Sequence, residues 1–344
     1  MSVMLNEFLT APDVIRSVLA ENKKVWPEIA KEFKRRNLTN ITTVARGTSD
    51  NAATYFKYVV EAIGEIMVSK FTPSITTYYG ATVNLANNMV LAISQSGQST
   101  DTLMVVQSAK QTGAMTVAVT NNPDSPLALM CDFHINLAAG IERSVSASKT
   151  FIAQLSAMFL LSNALSSVTA KMNVAELPPM LEKFIEENKE EIKSFAEENK
   201  DINNFIILTR GLTQAVASEL SLKMMETCLK FNRPFSTADF MHGAIALVDE
   251  NTTILMLAPA SEFSNDFIDL ARRLSLLGAK IISFTDIKEI KDISDSYFCM
   301  PMTRGMNTPF FYTIAVELFV VYMAEALGLD PDKPRNKKKV TITK

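Results

Sequence analysis

A set of short apolar strands is repeated in the chain at a nearly constant distance in sequence. Three strands in the first half end at positions that match three strand ends in the second half, with separations of 164, 164 and 165 residues. The paired positions at the strand ends are Arg46 and Arg210, Ser94 and Ala258, and Thr120 and Thr285. Because unrelated segments would not keep one register over three strands, the pattern indicates a duplicated folding unit.

Helical patterns lie between these strands, with apolar residues at three- and four-residue spacing over residues 49–63, 99–112 and 264–277. Gly278 follows the last of them as a C-terminal cap would. Short continuous apolar strands that alternate with helices predict parallel sheets covered on both faces. The predicted fold class is therefore α/β, with two doubly wound, flavodoxin-like parallel sheets in tandem. In such a fold the ligand site lies at the carboxyl ends of the strands.

The 344 residues suffice for two domains of about 150 residues each, which fits the duplication. The joint between them is Leu177-Pro178-Pro179 followed by a helix rich in Glu and Lys. We interpret its charges as a solvated face, with a regulatory surface as the alternative. We predict an N-terminal helical segment, a first domain, a connecting helix, a second domain and a basic tail, over residues 1–35, 36–170, 171–199, 200–329 and 330–344.

Charge and cysteine content narrow the class of protein. The net charge is −3 and no Lys/Arg stripe runs through the chain, which argues against a nucleic-acid partner. The three cysteines are far apart and form no CxxC pair, so neither a zinc cluster nor a disulfide framework is indicated. The first 13 residues lack the basic start and apolar block of a signal peptide. We therefore expect a cytoplasmic protein.

One apolar stretch, residues 310–329, is long enough to span a membrane. Glu317 and Glu325 lie inside it, and each carboxylate would be costly in lipid. We therefore expect a helix buried in a core or between subunits, and no membrane partner.

Two hydroxyl-rich loops follow neighbouring strands, at residues 47–50 (Gly-Thr-Ser-Asp) and 94–99 (Ser-Gln-Ser-Gly-Gln-Ser). Hydroxyls and backbone N–H groups at a helix N-terminus, beside a glycine, suit a phosphate group. Neither loop contains the lysine of a P-loop, which argues against a nucleoside triphosphate with magnesium. Helix capping alone would use the same residue types. Two adjacent loops favour a phosphorylated polar ligand.

Candidates for acid–base chemistry are few, because the chain has only two histidines. His134 falls in a predicted strand and is interpreted as structural, whereas His242 lies in a loop between two apolar helices, where a lone histidine is usually a surface residue. Glu219 and Glu226 are seven residues apart on a predicted amphipathic helix and share one face. A solvated pair of carboxylates is the alternative to a catalytic role.

Six motifs occur in a fixed order over essentially the whole chain. They are Arg46-Gly47-Thr48-Ser49, Ser94-Gln95-Ser96-Gly97, Glu142 through Lys149-Thr150-Phe151, Leu222-Lys223-Met224-Met225-Glu226, Met241-His242-Gly243, and Pro334-Arg335-Asn336 followed by Lys339. In this order they resemble the SIS (sugar isomerase) domain family, in the tandem arrangement of the isomerase part of glucosamine-6-phosphate synthase. The resemblance is closest to the stand-alone, SIS-type glucosamine-6-phosphate deaminases.

The resemblance implies a role for each matching position. Glu226 matches the carboxylate that moves a proton between C1 and C2, and His242 the histidine that opens the sugar ring, often from the neighbouring subunit. Lys339 matches the tail lysine that closes over the open-chain sugar and can form an imine with a ketose. The implied substrate-binding residues are Thr48, Ser49, Ser94, Gln95, Ser96 and Ser99 for the phosphate and nearby hydroxyls, Val145 through its backbone, and Glu142 near the sugar or its amine.

The expected activity is that of an amino-sugar-phosphate deaminase/isomerase, which converts glucosamine 6-phosphate to fructose 6-phosphate and ammonia. Such a reaction needs a base that removes the acidic proton beside the carbonyl, and a buried Glu is suited to this task. It also needs a group that transfers a proton to the ring oxygen, for which His is suited at neutral pH. No metal or cofactor is expected, and the resemblance implies a homodimer that shares its active site between subunits. The alternatives are another phosphosugar isomerase, a fructosamine-6-phosphate deglycase, or a sugar-phosphate sensor, which would have lost the Glu/His/Lys set.

The sequence departs from the family pattern in several places. Ala244 replaces a proline common after the His-Gly pair, and Ala147 replaces a usual hydroxyl, so substrate choice stays open. The tail has three consecutive lysines, 337–339, and the choice of Lys339 depends on counting from Pro334. The amide-hydrolysing domain of the synthase has no counterpart here, so no glutamine-dependent synthesis is expected from this chain alone.

Overall fold

The computed structural model describes residues 1–166, 173–303, 305–336 and 339. The elements of the first half are α1 (Val3–Leu9), α2 (Ala11–Glu21), α3 (Val25–Arg35), β1 (Asn40–Val44), α4 (Thr48–Gly64), β2 (Met67–Lys70), α5 (Ser74–Thr77), β3 (Asn88–Ile93), α6 (Thr100–Gln111), β4 (Met115–Thr120), α7 (Pro126–Met130), β5 (Phe133–Asn136) and α8 (Lys149–Leu165). Those of the second half are α9 (Leu177–Glu198), β6 (Asn204–Thr209), α10 (Gln214–Thr227), β7 (Phe231–Ser236), α11 (Thr237–Met241), β8 (Thr253–Ala258), α12 (Ser264–Leu276), β9 (Lys280–Thr285), α13 (Lys288–Ile293), β10 (Ser296–Cys299) and α14 (Thr308–Ala326).

The strands form two five-stranded sheets, and every strand pair within them is parallel. The first sheet has the order β2-β1-β3-β4-β5, and the second has the order β10-β9-β8-β6-β7, which is the same order written from the other edge. This is the flavodoxin-like winding, in which the strand order reverses beside the first strand. The prediction of two tandem, doubly wound α/β domains is confirmed.

The duplication extends to single hydrogen bonds. In the first sheet, the backbone N–H of Thr116 at the start of β4 donates to the carboxylate of Asp132 over 2.9 Å. In the second sheet, the N–H of Ile281 at the start of β9 donates to Asp295 over 2.7 Å. Asp132 directly precedes the edge strand β5, and Asp295 directly precedes the edge strand β10. Each aspartate therefore links an edge strand to its neighbour, β4 or β9, at the equivalent position of its sheet. The two halves have kept side-chain contacts as well as topology.

Contacts between residues divide the chain into two compact units. The N-terminal unit consists of Thr10–Arg143, Ala147–Pro178 and Lys338–Lys344, and the C-terminal unit of Met1–Leu9, Ser144–Ser146 and Pro179–Lys337. Helix α1 therefore belongs with the second sheet, and Lys339 with the first. The domain boundaries expected from the sequence stay a prediction.

The apolar stretch near the C-terminus forms helix α14 in the C-terminal unit. Residues Gly305–Ala326 have the length and mean hydropathy, 1.4, of a membrane span, but 83% of their most apolar window is buried inside the protein. Glu317 in the middle of α14 is only 2% exposed. The hydroxyl of Tyr312 donates to the carbonyl of Phe284 over 3.2 Å, which ties α14 to strand β9. The expectation of a buried core helix is confirmed.

Candidate active site

The loop at residues 94–99 links strand β3 to helix α6 in the N-terminal unit. Gly97 has φ +64°, and a Cβ added there would lie 2.2 Å from the hydroxyl oxygen of Ser125. Glycine is therefore required both by the left-handed backbone and by the close approach to α7. Ser94, at the end of the strand, is 7% exposed, and its N–H donates to the carbonyl of Val119 in β4. The loop is thus held tightly against the carboxyl end of the sheet.

The N-cap residues of the helices that follow the two loops, Gly47 and Ser99, form no side-chain cap hydrogen bond. Ser99 is the N-cap residue of α6, but its side chain does not cap the helix and instead accepts a hydrogen bond from Thr102 over 3.1 Å. The N-cap residue of α4 is Gly47, which has no side chain to offer. Capping alone therefore does not explain why hydroxyl residues stand at these positions.

Ser49, at the start of α4, is held by a residue that the sequence did not reveal. Its hydroxyl accepts a hydrogen bond of 2.9 Å from the amide nitrogen of Gln154 on α8, and both side chains are buried. A hydroxyl that accepts from one side still has its own proton to donate. Gln154 therefore leaves Ser49 able to donate a hydrogen bond to a ligand oxygen.

An ion pair links the residues that flank the two loops, and each unit has its own copy of this pair. Arg46, directly after β1, lies 2.6 Å from the carboxylate of Asp101 in the first turn of α6. In the C-terminal unit, Arg210 after β6 pairs in the same way with Asp266 in the first turn of α12. The repeated pair fastens the first loop of each unit to the helix that begins after the second loop.

The hydroxyl loop itself occurs in one unit only. At a separation of 164 residues, the counterparts of Ser94, Ser96 and Ser99 are Ala258, Ala260 and Phe263. The ring of Phe263 lies 2.9 Å from a Cβ added at Gly211 and stacks on the guanidinium of Arg210 at 4.7 Å. The place that the hydroxyl loop occupies in the N-terminal unit is therefore taken by an aromatic residue in the C-terminal unit.

Asn121, after strand β4, is a further residue that sequence reasoning missed. Its N–H donates to the carbonyl of Gln95 over 2.9 Å. Its side-chain amide donates to the carbonyl of Gly140 over 2.7 Å and accepts from the N–H of Ala139 over 2.9 Å. Asn121 thereby connects the hydroxyl loop to the segment that leads to Glu142. An asparagine at a strand end was the only signal in the sequence.

Glu142 is a buried carboxylate that pairs with the tail lysine. One of its oxygens accepts bonds from the N–H and hydroxyl groups of Ser148 and Thr150, at 2.8 to 3.2 Å. The other lies 2.7 Å from the ammonium of Lys339. Burial alone would raise the pKa of Glu142, but the charge of Lys339 and these hydrogen bonds hold it below its usual value. Glu142 is therefore a fixed anion that forms an ion pair with Lys339.

Helix α10 in the C-terminal unit carries Glu226 in a three-residue charge cluster. Lys223 is 1% exposed, and its ammonium lies 3.1 Å from the carboxylates of both Glu219 and Glu226. Burial alone would lower the pKa of Lys223, but the two carboxylates raise it above its usual value. Glu219 is fully buried and the Glu226 side chain is 13% exposed, so the interpretation of a solvated carboxylate pair is wrong. The spacing of three and four residues around Lys223 could have indicated the cluster.

His242 lies at the C-terminal end of helix α11, where its N–H donates to the carbonyl of Asp239 over 3.2 Å. Its side chain is exposed. His134, in contrast, is part of β5, and its ring nitrogen lies 2.8 Å from the hydroxyl of Thr120. The structural interpretation of His134 agrees with this contact.

The expected site residues are distributed over both units. The N-terminal unit contains Thr48, Ser49, Ser94, Gln95, Ser96, Ser99, Glu142 and Lys339, and the C-terminal unit contains Val145, Glu226 and His242. Val145 is partly buried in the short segment Ser144–Ser146. In the part of the chain that the structure describes, no group of three or more His, Cys, Asp or Glu residues is placed to hold a metal ion.

Comparisons with known proteins agree with the fold and with the resemblance to the SIS domain family. The SIS domain model matches residues 36–164 and 200–326. A glutamine–fructose-6-phosphate aminotransferase (isomerizing) of Aquifex aeolicus is 31% identical over 343 residues, which is 99% of this chain and 57% of that protein. The corresponding Thermococcus kodakarensis protein is 29% identical over 350 residues, 98% of this chain and 58% of its own. The chain thus spans little more than half the length of these relatives.

Solved structures match over nearly the whole chain. The C-terminal domain of glucosamine-fructose-6-phosphate aminotransferase from Francisella tularensis has a TM-score of 0.84 at 25% identity, covering 97% of this chain and 98% of that one. Glucosamine-6-phosphate deaminase from Thermotoga maritima has a TM-score of 0.77 at 21% identity, covering 99% of this chain and 100% of that one, which is a likeness of fold.

Proposed function

Because the chain belongs to the SIS domain family, we propose that it is an aldose–ketose isomerase of sugar phosphates that also deaminates its substrate. The substrate is glucosamine 6-phosphate, and with water it gives fructose 6-phosphate and ammonia. On this proposal the protein is a cytoplasmic enzyme of amino-sugar metabolism that works as a homodimer and uses neither a metal nor an organic cofactor.

The observation that carries the proposal is the ion pair of the buried Glu142 with the partly exposed Lys339, in the same unit as the two hydroxyl loops. Asn121 connects Glu142's segment to the loop at 94–99, and Gln154 connects α8, which begins beside Glu142, to Ser49. The region at the carboxyl ends of the first sheet's strands therefore offers hydrogen-bond donors for a phosphate. It also offers the carboxylate of Glu142, which can bind an ammonium group. These are the two charged groups of an amino-sugar phosphate. The binding set is Thr48, Ser49, Ser94, Gln95, Ser96, Ser99, Glu142 and Val145.

The proposed chemistry moves one proton between adjacent carbons. His242 transfers a proton at the ring oxygen, which opens the ring and creates a carbonyl at C1. Glu226 removes the acidified proton from C2, and its return at C1 gives an imine at C2. Water then adds to the imine carbon and ammonia leaves, so that the C2 carbonyl of the ketose remains. Lys223 supplies a fixed charge that orients the Glu226 carboxylate, and Lys339 acts on the open-chain sugar.

The test is turnover of a sugar-phosphate panel in deuterated water, with ammonia, ketose and deuterium at C1 and C2 as readouts. Glucosamine 6-phosphate should give equal amounts of ammonia and fructose 6-phosphate. Glu226→Gln keeps the side-chain shape, so binding by calorimetry should persist while kcat falls by about 10²–10⁴. The matched control is Glu186→Gln, which changes an exposed carboxylate on α9.

The remaining functions are distinguished by the same panel. Ketose without ammonia from a neutral sugar phosphate identifies an isomerase, and consumption of fructosamine 6-phosphate identifies a deglycase. Binding without turnover of any member identifies a sensor and rejects the proposal. Wild-type exchange of the C2 proton in Glu226→Gln would remove Glu226 as the base and leave Glu219 as the next candidate.

A further inference from the structure

Arg46 lies between the two hydroxyl loops of the N-terminal unit. It directly precedes the loop at residues 47–50, and its Nε and Nη2 atoms donate to one carboxylate oxygen of Asp101, over 3.2 and 2.6 Å. Asp101 is in the first turn of α6, two residues after the loop at 94–99 ends. The guanidinium group is therefore held at a place that both loops adjoin.

The ion pair uses only part of this guanidinium group. An arginine side chain carries five N–H donors, and the two bonds to Asp101 leave three. Among the residues that the structure describes, no other one accepts a hydrogen bond from the Arg46 side chain, which is 55% exposed. The remaining donors of this charged group are thus open to a ligand at the loops.

Arg46 is also the only basic residue in the segments 44–51 and 93–102. The two carboxylates of these segments are stabilised by other groups as well. Asp50 pairs with Lys70 on β2, and Asp101 lies at a helix N-terminus, where the helix dipole favours a negative charge. A phosphate dianion at the loops would gain most from a fixed guanidinium group, because charge-assisted bonds from arginine are stronger than those from hydroxyls.

The C-terminal unit has the same ion pair without a hydroxyl loop. Arg210 pairs with Asp266 there, and the ring of Phe263 covers its guanidinium group at 4.7 Å. The residue that corresponds to Phe263 in the N-terminal unit is Ser99. The side chain of Arg210 is 34% exposed, compared with 55% for Arg46. The guanidinium face is therefore covered in the unit that lacks the hydroxyl loop and open in the unit that has it.

We propose that Arg46 is a further binding residue, which donates to the phosphate group of the substrate from the guanidinium edge that Asp101 leaves open. The proposal rests on the proposed function for the identity of the substrate, and it deepens that function by giving the phosphate a cationic partner. The ion pair with Asp101 holds the guanidinium group in place before the ligand arrives, so little side-chain freedom is lost on binding. The site should therefore select a phosphate ester over a neutral sugar.

Calorimetric binding of glucosamine 6-phosphate and of inorganic phosphate tests this assignment without turnover. Arg46→Met should raise the Kd of both about 10- to 100-fold, because hydrogen bonds to a charged group are lost. Arg210→Met removes the equivalent ion pair from the other unit and is the matched control, for which we expect a wild-type Kd. Urea unfolding should show similar, small losses of stability for the two variants, because both ion pairs are partly exposed.

Asp101→Asn separates ligand binding from a purely structural clamp. If Arg46 only held the loops together, Asp101→Asn and Arg46→Met would weaken phosphate binding alike. On the proposal, Asp101→Asn should not raise the Kd, because it keeps the guanidinium group and removes a negative charge beside the anion. In turnover, Arg46→Met should raise KM with kcat nearly unchanged, because the phosphate contact is the same in the ground state and the transition state.

Three results would overturn the proposal: a wild-type Kd in Arg46→Met, an equal rise in Arg210→Met, or an equal rise in Asp101→Asn. If Arg46→Met does not fold, Arg46→Lys decides instead, because it keeps the charge and loses the planar fork, and a wild-type Kd there overturns the proposal. If the wild-type protein binds the probes but turns over no sugar phosphate, the proposed function fails, and the Kd values still decide the role of Arg46. A wild-type protein that binds neither probe rejects the phosphate site and the role of Arg46 with it.

Discussion

Ser96 belongs to the hydroxyl loop that we assign to the substrate phosphate, and the C-terminal unit has Ala260 at the matching position. Replacing Ser96 with Ala should raise KM about 10- to 100-fold, because a hydrogen bond to a charged group contributes about 1.5–3 kcal/mol. The free energy of unfolding should change little. Steady-state kinetics and urea unfolding measure both, and Ser264→Ala, at the start of α12, is the control. A wild-type KM in Ser96→Ala would contradict the assignment of this loop.

Lys223 lies between two carboxylates in a buried cluster, which makes its removal costly. Lys223→Met should lower the free energy of unfolding by about 3–5 kcal/mol, because it removes the ammonium that pairs with the buried carboxylate of Glu219. The double variant Lys223→Met with Glu219→Gln should recover part of this loss. Urea unfolding of the single and double variants measures both changes in the free energy of unfolding. A decrease below about 1 kcal/mol for Lys223→Met would mean that the cluster is open to water.

The Glu142–Lys339 pair should make stability depend on pH in the acid range. The pKa of Glu142 is lowered in the folded protein, so the stabilisation is present above its unfolded value of about 4.3 and is lost as the pH falls through the lower folded value. The difference in unfolding free energy between the wild type and Glu142→Gln should therefore shrink below about pH 4. Urea unfolding between about pH 3 and 7 measures it. Lys339→Met removes the charge that lowers this pKa and should weaken the same pH dependence.

At the scale of elements, the turn from β3 into α6 depends on Gly97. Gly97→Ala introduces both an unfavourable positive φ and a clash with Ser125, whereas Gly113→Ala, at φ +85° with open space around it, introduces only the first. Gly113→Ala should destabilise the protein by about 1–2 kcal/mol. Gly97→Ala should cost more and should also raise KM, because the hydroxyl loop must move. Equal effects of the two variants on stability and KM would show that the loop is not constrained by Ser125.

At the scale of the whole molecule, we expect a homodimer in which His242 acts in the neighbouring subunit's site. A mixture of Glu226→Gln and His242→Ala chains should then recover part of the activity, because some heterodimers contain one complete site. The proportion of heterodimers is measured by mass spectrometry of differently tagged chains. Heterodimers without recovered activity would contradict a shared site, and a monomeric mass by sedimentation would contradict the dimer itself.

Much of the fold could be predicted from the sequence, because it depends on local patterns. Continuous apolar strands, helical spacing between them and a register kept over 164 residues are sufficient to indicate two parallel sheets. The same patterns place the loops at 47–50 and 94–99 at strand ends, and the family motifs supply the expected roles of Glu226 and His242. These features need no knowledge of which distant residues meet.

Only the tertiary structure decided how the charged residues are partnered. Lys339 meets Glu142 across 197 positions in sequence, and Asp332 meets Val3 across 329. No periodicity links such residues, because their contact follows from how helices and loops pack against the sheets. Burial is also decided by the tertiary structure. From the sequence alone Glu219 and Glu226 could be a solvated pair of carboxylates, yet the packing of α10 buries Glu219 fully and leaves the Glu226 side chain only 13% exposed. The free energy of a charge depends on its surroundings, and those are formed by the folded chain as a whole.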